Sequence, residues 1–144
     1  MRLSAEIISQ SEQRTNPLGE REIILRGLSI PTIEHLAVTR DLFDAIDFTE
    51  NLITNVSNFP KLQRLSTLAL AGNLVESVDG KNLKRNVPNL QHLDLSGNKI
   101  GGLHVIGSIG DGCQKLETLS LVGNPVTSEL IKCSLFLIFS MNSS

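Results

Sequence analysis

Four stretches of the chain share one unusual spacing of apolar residues, and a fifth shares most of it. In NLQHLDLSGNKI, leucines at Leu90, Leu93 and Leu95 are followed by Asn98 and then by Ile100. Intervals of three and then two suit neither a helix nor a plainly alternating strand. The same spacing returns as Leu65, Leu68, Leu70, Asn73, Val75 and as Leu116, Leu119, Leu121, Asn124, Val126. It appears again as Phe43, Ile46, Phe48, Asn51, Ile53. The fainter first copy has Ile23, Leu25 and Ile30, with Leu28 in the asparagine slot and Glu20 in the first leucine slot. Anchored at positions 28, 51, 73, 98 and 124, the copies are 23, 22, 25 and 26 residues apart.

A unit of that length carrying L-x-L and a fixed asparagine is a leucine-rich repeat. Each unit supplies a short strand whose L-x-L pair points inward, a tight turn and a returning arm. The asparagine sits inside the bend, where its amide meets backbone groups that the turn leaves unpaired. One unit alone cannot bury its apolar side, whereas stacked units share a continuous core. The expected fold is therefore an α/β leucine-rich repeat solenoid, right-handed, with five repeats and a parallel concave sheet. Asn51, Asn73, Asn98 and Asn124 form its structural ladder. In the returning arms, Ile33, Val56, Val78 and Leu103 are expected to continue inward. Leu36, Phe59, Leu62, Leu83, Val87, Ile106, Ile109 and Cys113 are expected to fill the convex side, with a short helix or 3₁₀ turn in each arm. Asp111-Gly112 reads as a break in the fourth arm.

Solenoid ends need covering because their last core layer has no neighbour. Residues 3–13 read as an N-terminal capping helix, with Ser4 as N-cap and Ile7 and Ile8 on its buried side. The organisation expected is an N-terminal cap at 1–19, five repeats at 20–128 and a divergent tail at 129–144. That tail has no repeat register, so the C-terminal cap is expected to be incomplete: either the fifth repeat frays or the tail folds over it.

Composition narrows the function. Apolar residues make up 40% and charged residues 19%, with a net charge of -2. There is no Trp or Tyr and there are five Phe. Such a chain has too little positive charge to bind nucleic acid by electrostatics alone, and few of the rings on which bases stack. His35, His92 and His104 have no metal-ligand spacing, and no Gly-rich stretch has the register of a phosphate loop. We therefore expect no catalytic residue, metal or cofactor. The opening MRLSAEIISQSEQ has no apolar core of a secretory leader, so a disulfide between Cys113 and Cys133 and glycosylation at Asn55 or Asn142 are not expected. The apolar run at 130–139 is too short to span a bilayer.

What remains is the concave face, built from strand residues that alternate with the inward leucines. Its middle column reads Ile24, Asp47, Ala69, Asp94, Ser120. Small side chains from the third repeat onward leave room for a convex object such as a partner's helix, and Asp47 and Asp94 favour basic groups on it. Basic residues gather in the first repeat (Arg21 and Arg26, with Arg14 before them) and in the third arm (Lys81, Lys84, Arg85).

Non-leucine positions add a more specific likeness. LSAEIISQSEQRTNPLGEREIILRGLSIPTIEHL, DLFDAIDFTENLI, NFPKLQRLSTLALAGN and LVGNPVT resemble the A-prime family of the spliceosomal U2 small nuclear ribonucleoprotein. The likeness runs from about residue 3 to 127. It implies a nuclear, non-catalytic adaptor in pre-mRNA splicing. Its concave face would hold a helix of the B-double-prime RNA-recognition protein, and the pair would hold a stem-loop of the U2 small nuclear RNA. By that resemblance Arg26, Asp47, Thr49, Asp94 and Ser96 are the partner-contact candidates, and Arg21 and Arg26 are candidates for RNA phosphate. The sequence leaves the family pattern after NPVT, where SELIKCSLFLIFSMNSS follows. A leucine-rich regulatory scaffold that binds another protein, such as a phosphatase, is the alternative.

Overall fold

The computed structural model describes residues 2–127. The tail at 129–144, with Cys133, the Asn142 triplet and the 130–139 run, lies outside the described residues, as does the expected C-terminal cap. In chain order the elements are α1 (Ala5–Gln10), β1 (Glu12–Thr15), β2 (Arg21–Ile24), a 3₁₀ turn (Leu36–Thr39), β3 (Ala45–Asp47), β4 (Asn55–Val56), β5 (Thr67–Ala69), β6 (Ser77–Val78), α2 (Gly80–Asn86), β7 (His92–Asp94), α3 (Leu103–Gly112) and β8 (Thr118–Ser120). One sheet has the order β1-β2-β3-β5-β7-β8, and every pairing in it from β2 to β8 is parallel. Its register is that of the repeats: Ile23, Ile46, Leu68, Leu93 and Leu119 lie side by side. A second, two-stranded parallel sheet joins β4 to β6 on the returning arms.

The inward rows close one core. Leu25, Phe48, Leu70 and Leu95 are fully buried, as are Ile30, Ile53, Val75, Ile100 and Val126 past the turn. The convex row of Leu36, Phe59, Leu62, Leu83, Val87, Ile106, Ile109 and Cys113 is buried as expected. Burial pushes the Cys113 thiol up to about 12, which leaves it a core residue with almost no thiolate.

Asparagine joins each coil to the one before it. Asn73 donates to Leu70 O of its own repeat at 3.0 Å and to Phe48 O of the previous one at 2.9 Å, and it accepts from Ile53 N at 3.1 Å. Asn98 repeats the pattern with Leu95 O, Leu70 O and Val75 N, and Asn124 with Leu121 O, Leu95 O and Ile100 N. Asn51 reaches back to Leu25 O and holds both Leu28 N and Ile30 N. Leu28, at the front of the ladder, has no earlier repeat for an asparagine to reach back to. The residue before each anchor is left-handed: Gly27, Glu50, Gly72, Gly97 and Gly123 all have positive φ. This conformation turns the chain sharply enough to bring the amide inside.

Three expectations need correction. The capping helix ends at Gln10, where Ser11 bonds back to Ile7 O and Ile8 O, and Glu12–Thr15 pair antiparallel with β2 instead. All four residues of β1 are exposed, so no apolar period marks it. The second arm has no helix. Pro60 disfavours a helical Phe59 and removes a donor, and the arm runs extended through β4. Leu103 is 38% exposed. It starts α3, whose buried stripe is Val105, Ile106, Ile109 and Gly112, and ~100° of rotation per residue turns Leu103 off that stripe. Asp111-Gly112 does mark the break in the fourth arm, since α3 ends at Gly112. A side chain at Gly112 would strike Gly80 O, and one at Gly80 would strike Ser108 O, so the two glycines let α2 and α3 touch.

Replacing Asn73 by Ala leaves Ile53 N–H without an acceptor in a dry interior and takes one donor each from Phe48 O and Leu70 O, which Asn51 and Asn98 still serve. We expect a loss of about 2 kcal/mol of unfolding free energy by urea titration. Asn55→Ala, on the exposed arm, should change it by less than ~0.5 kcal/mol.

Candidate partner-binding face

The side chains on the concave face fall into two unlike halves. Over the first two repeats the face is closed by charge pairs. Arg26 donates from Nε and Nη2 to Asp47 Oδ2 at 3.1 and 2.9 Å, and Thr49 N donates to Asp47 Oδ1 at 2.9 Å. Asp47 is 3% exposed, whereas the Arg26 side chain above it stays largely open. Burial alone would raise the Asp47 carboxyl. The hydrogen bonds from Thr49 and the Arg26 guanidinium outweigh it and hold the group below its ordinary value. Beside this pair, Arg14 Nε bonds Glu22 Oε1 at 2.6 Å across the β1–β2 hairpin.

Glu20 adds a clasp that sequence reading did not foresee. Its carboxylate accepts from Thr67 Oγ1 at 3.0 Å, from Ser66 Oγ and from Asn16 Nδ2. It thus reaches from the hairpin loop past β3 to β5. Ala45 of β3 has no exposed surface. The only sequence signal was an acid in a leucine slot, which marks a departure from pattern without naming a partner.

From the third repeat onward the face opens. Thr67, Ala69, His92, Asp94, Thr118 and Ser120, with the strand leucines beneath, line a hollow of ≈ 350 Å³. Small side chains on three successive strands leave that space. His92 Nδ1 lies 2.8 Å from Thr118 Oγ1. Asp94 Oδ1 accepts from Ser96 N at 3.0 Å and Ser96 Oγ at 2.6 Å.

Of the candidate contact residues, Arg26, Asp47 and Thr49 stand together as one unit, and Asp94 and Ser96 as another. Arg21 and Arg26 do not come together. Arg21 opens β2 and Arg26 lies in the turn two residues past its end, and Arg21 lies over the Phe43 ring at 5.2 Å. Arg21 instead shares a cleft with Arg14, Arg64 and Asp44, and Arg64 pairs with Asp44 at 3.2 Å. Lys84 and Arg85 sit in the last turn of α2, on the convex side. Among the described residues no group of three His, Cys, Asp or Glu is placed to hold a metal ion, and no helix is long and apolar enough to cross a membrane.

A parallel sheet with an asparagine ladder and a hollowed face defines a leucine-rich repeat protein. The chain belongs to that family, whose model, described as leucine-rich repeat, matches residues 1–143. Among its relatives are U2 small nuclear ribonucleoprotein A′ proteins. The one from Mycosarcoma maydis is 44% identical over 129 residues, covering 90% of this chain and 52% of that protein. The one from Homo sapiens is 40% identical over 132 residues, covering 90% and 50%. The chain thus spans about half the length of these curated relatives. A solved structure, the Drosophila melanogaster SNF/U2A′ complex, matches with a TM-score of 0.85 and 42% identity, covering 89% of this chain and 72% of that chain. The A-prime resemblance read from the sequence agrees with these relatives. They are named as ribonucleoprotein components, consistent with a non-catalytic chain.

Asp47 gives the site a pH signature. Its folded-state value lies below the unfolded one, so its stabilisation is complete above about pH 4 and is lost as the pH falls through the depressed value. Asp47→Asn should lower the urea midpoint at pH 7, and the gap to the parent protein should shrink at pH 3.

Proposed function

We propose that this chain is a non-catalytic adaptor in pre-mRNA splicing, acting in the nucleus as part of the U2 small nuclear ribonucleoprotein. Its concave face takes a helix of a B-double-prime-type RNA-recognition protein, and the pair holds a stem-loop of the U2 small nuclear RNA. The observation that carries this reading is the 42% identity, over 89% of the chain, to a chain solved in a complex of SNF and U2A′. The hollowed sheet and the near-neutral charge of -2 support it: the chain has the shape to hold a protein and little charge to hold RNA alone.

Under this reading residues 20–128 carry the interface, with 1–19 as the front cap and 129–144 as a divergent tail. Arg26 meets the partner already seated on Asp47 beside Thr49, while Asp94 and Ser96 meet it at the hollow. Arg26 reaches RNA phosphate from the partner's side of the sheet, and Arg21 does so from the strand-start edge.

The test is co-purification from nuclear extract. An RNA-recognition-motif protein and U2 small nuclear RNA should be recovered together, and stripping the protein partner should weaken RNA binding at least ~100-fold. Recovery of a phosphatase without RNA would instead establish the regulatory-scaffold alternative.

A further inference from the structure

Asp47 and Asp94 occupy the same column of the sheet, one on each side of Ala69. Each accepts a backbone N–H from two residues ahead through Oδ1. They differ at Oδ2. On Asp47 that oxygen holds the Arg26 guanidinium, which comes from one repeat back. Arg26 stands two residues past Ile24, the strand neighbour of Asp47. The strand neighbour of Asp94 is Ala69, and two residues past it stands Ala71. The solenoid therefore builds the same acceptor twice and supplies its guanidinium once. No described cation pairs with Asp94, and no described residue donates to its Oδ2.

We infer that Asp94 is the receptor for an arginine carried by the partner, which supplies in trans the guanidinium that Arg26 supplies in cis to Asp47. This deepens the adaptor reading and rests on it. The hollow beside Asp94 has room for a long side chain: a methylene stem lies over Ala69 and Ser120, and the head reaches the carboxylate. In the free protein the carboxylate is half-open and keeps its water. A partner that covers the hollow strips that water away, and a covered carboxylate without a counter-charge is strongly unfavourable. An occupant of this face must therefore bring a cation to Asp94. The pairing of Nε and Nη2 with one oxygen of Asp47 makes that cation an arginine.

Two arms test this. The first needs no partner. A crystal structure of the Ala71→Arg variant should place the new guanidinium within hydrogen-bonding distance of Asp94 Oδ2, and a guanidinium pointing away from Asp94 overturns the inference. The second uses purified SNF protein as the probe and measures affinity by calorimetry. Asp94→Asn should weaken binding about tenfold or more and flatten its salt dependence, with the unfolding midpoint unchanged. Ala71→Arg should weaken it similarly, and clearly more than Ala71→Met, which adds bulk without charge. SNF that binds Asp94→Asn as tightly as the parent protein overturns the inference and leaves the adaptor reading standing. SNF that binds no form of the chain counts against the adaptor reading, and the inference is then judged by the first arm.

Discussion

An asparagine side chain has an acceptor and two donor hydrogens on one planar group, and the fold depends on spending all of them between adjacent coils. Strands of three residues form few ladder bonds, and the turns that follow leave carbonyls and N–H groups facing a dry interior. Each buried amide satisfies a carbonyl of its own turn, a carbonyl of the previous turn and an N–H of the previous arm. A leucine there would fill the volume, leave the N–H unpaired and take from each carbonyl one of the two amides that share it. The left-handed residue before each asparagine and the apolar residue two places after it follow from the same constraint: one aims the amide inward, and the other seals it from water.

The repeats could be read from the sequence because this constraint fixes residue type at fixed spacing. Core and ladder positions had to be leucine-like or asparagine, and they were found. Elements whose residues are chosen by neighbours distant in sequence could not be read this way. β1 is a fully exposed polar strand that forms on the open edge of β2, with Arg14 paired to Glu22 across it. The second arm stays extended because of one proline and a pairing with β6. Leu103 follows helical period where its counterparts follow strand period. Gly112 could be read as the end of the fourth arm's helix, but not its close crossing with Gly80, thirty-two residues away.

The candidate site was legible in position and less so in electrostatics. Alternation placed the concave columns correctly, yet it could not distinguish Asp47 from Asp94. Arg26 neutralises the first from an adjacent coil, while Ala71 leaves the second without a counter-charge among the described residues. Likewise Arg21 and Arg26 are close in sequence, but one opens β2 and the other lies in the turn after it, and Arg64 joins Arg21 only because stacking brings Asp44 between them. Charge in a solenoid is decided one coil away, at offsets of twenty-odd residues that no local window spans.

The reach of Glu20 across β3 has a consequence for how the molecule comes apart. In a stack where each layer touches only the next, layers at an end peel off singly and the melting is gradual. A clasp that skips a layer forbids that sequence: the second coil cannot loosen while the hairpin and the third coil stay joined above it. The front of the molecule should thus open as one block, with hydrogen-exchange protection nearly level from the hairpin to the third coil, whereas any gradient in protection should start at the other end.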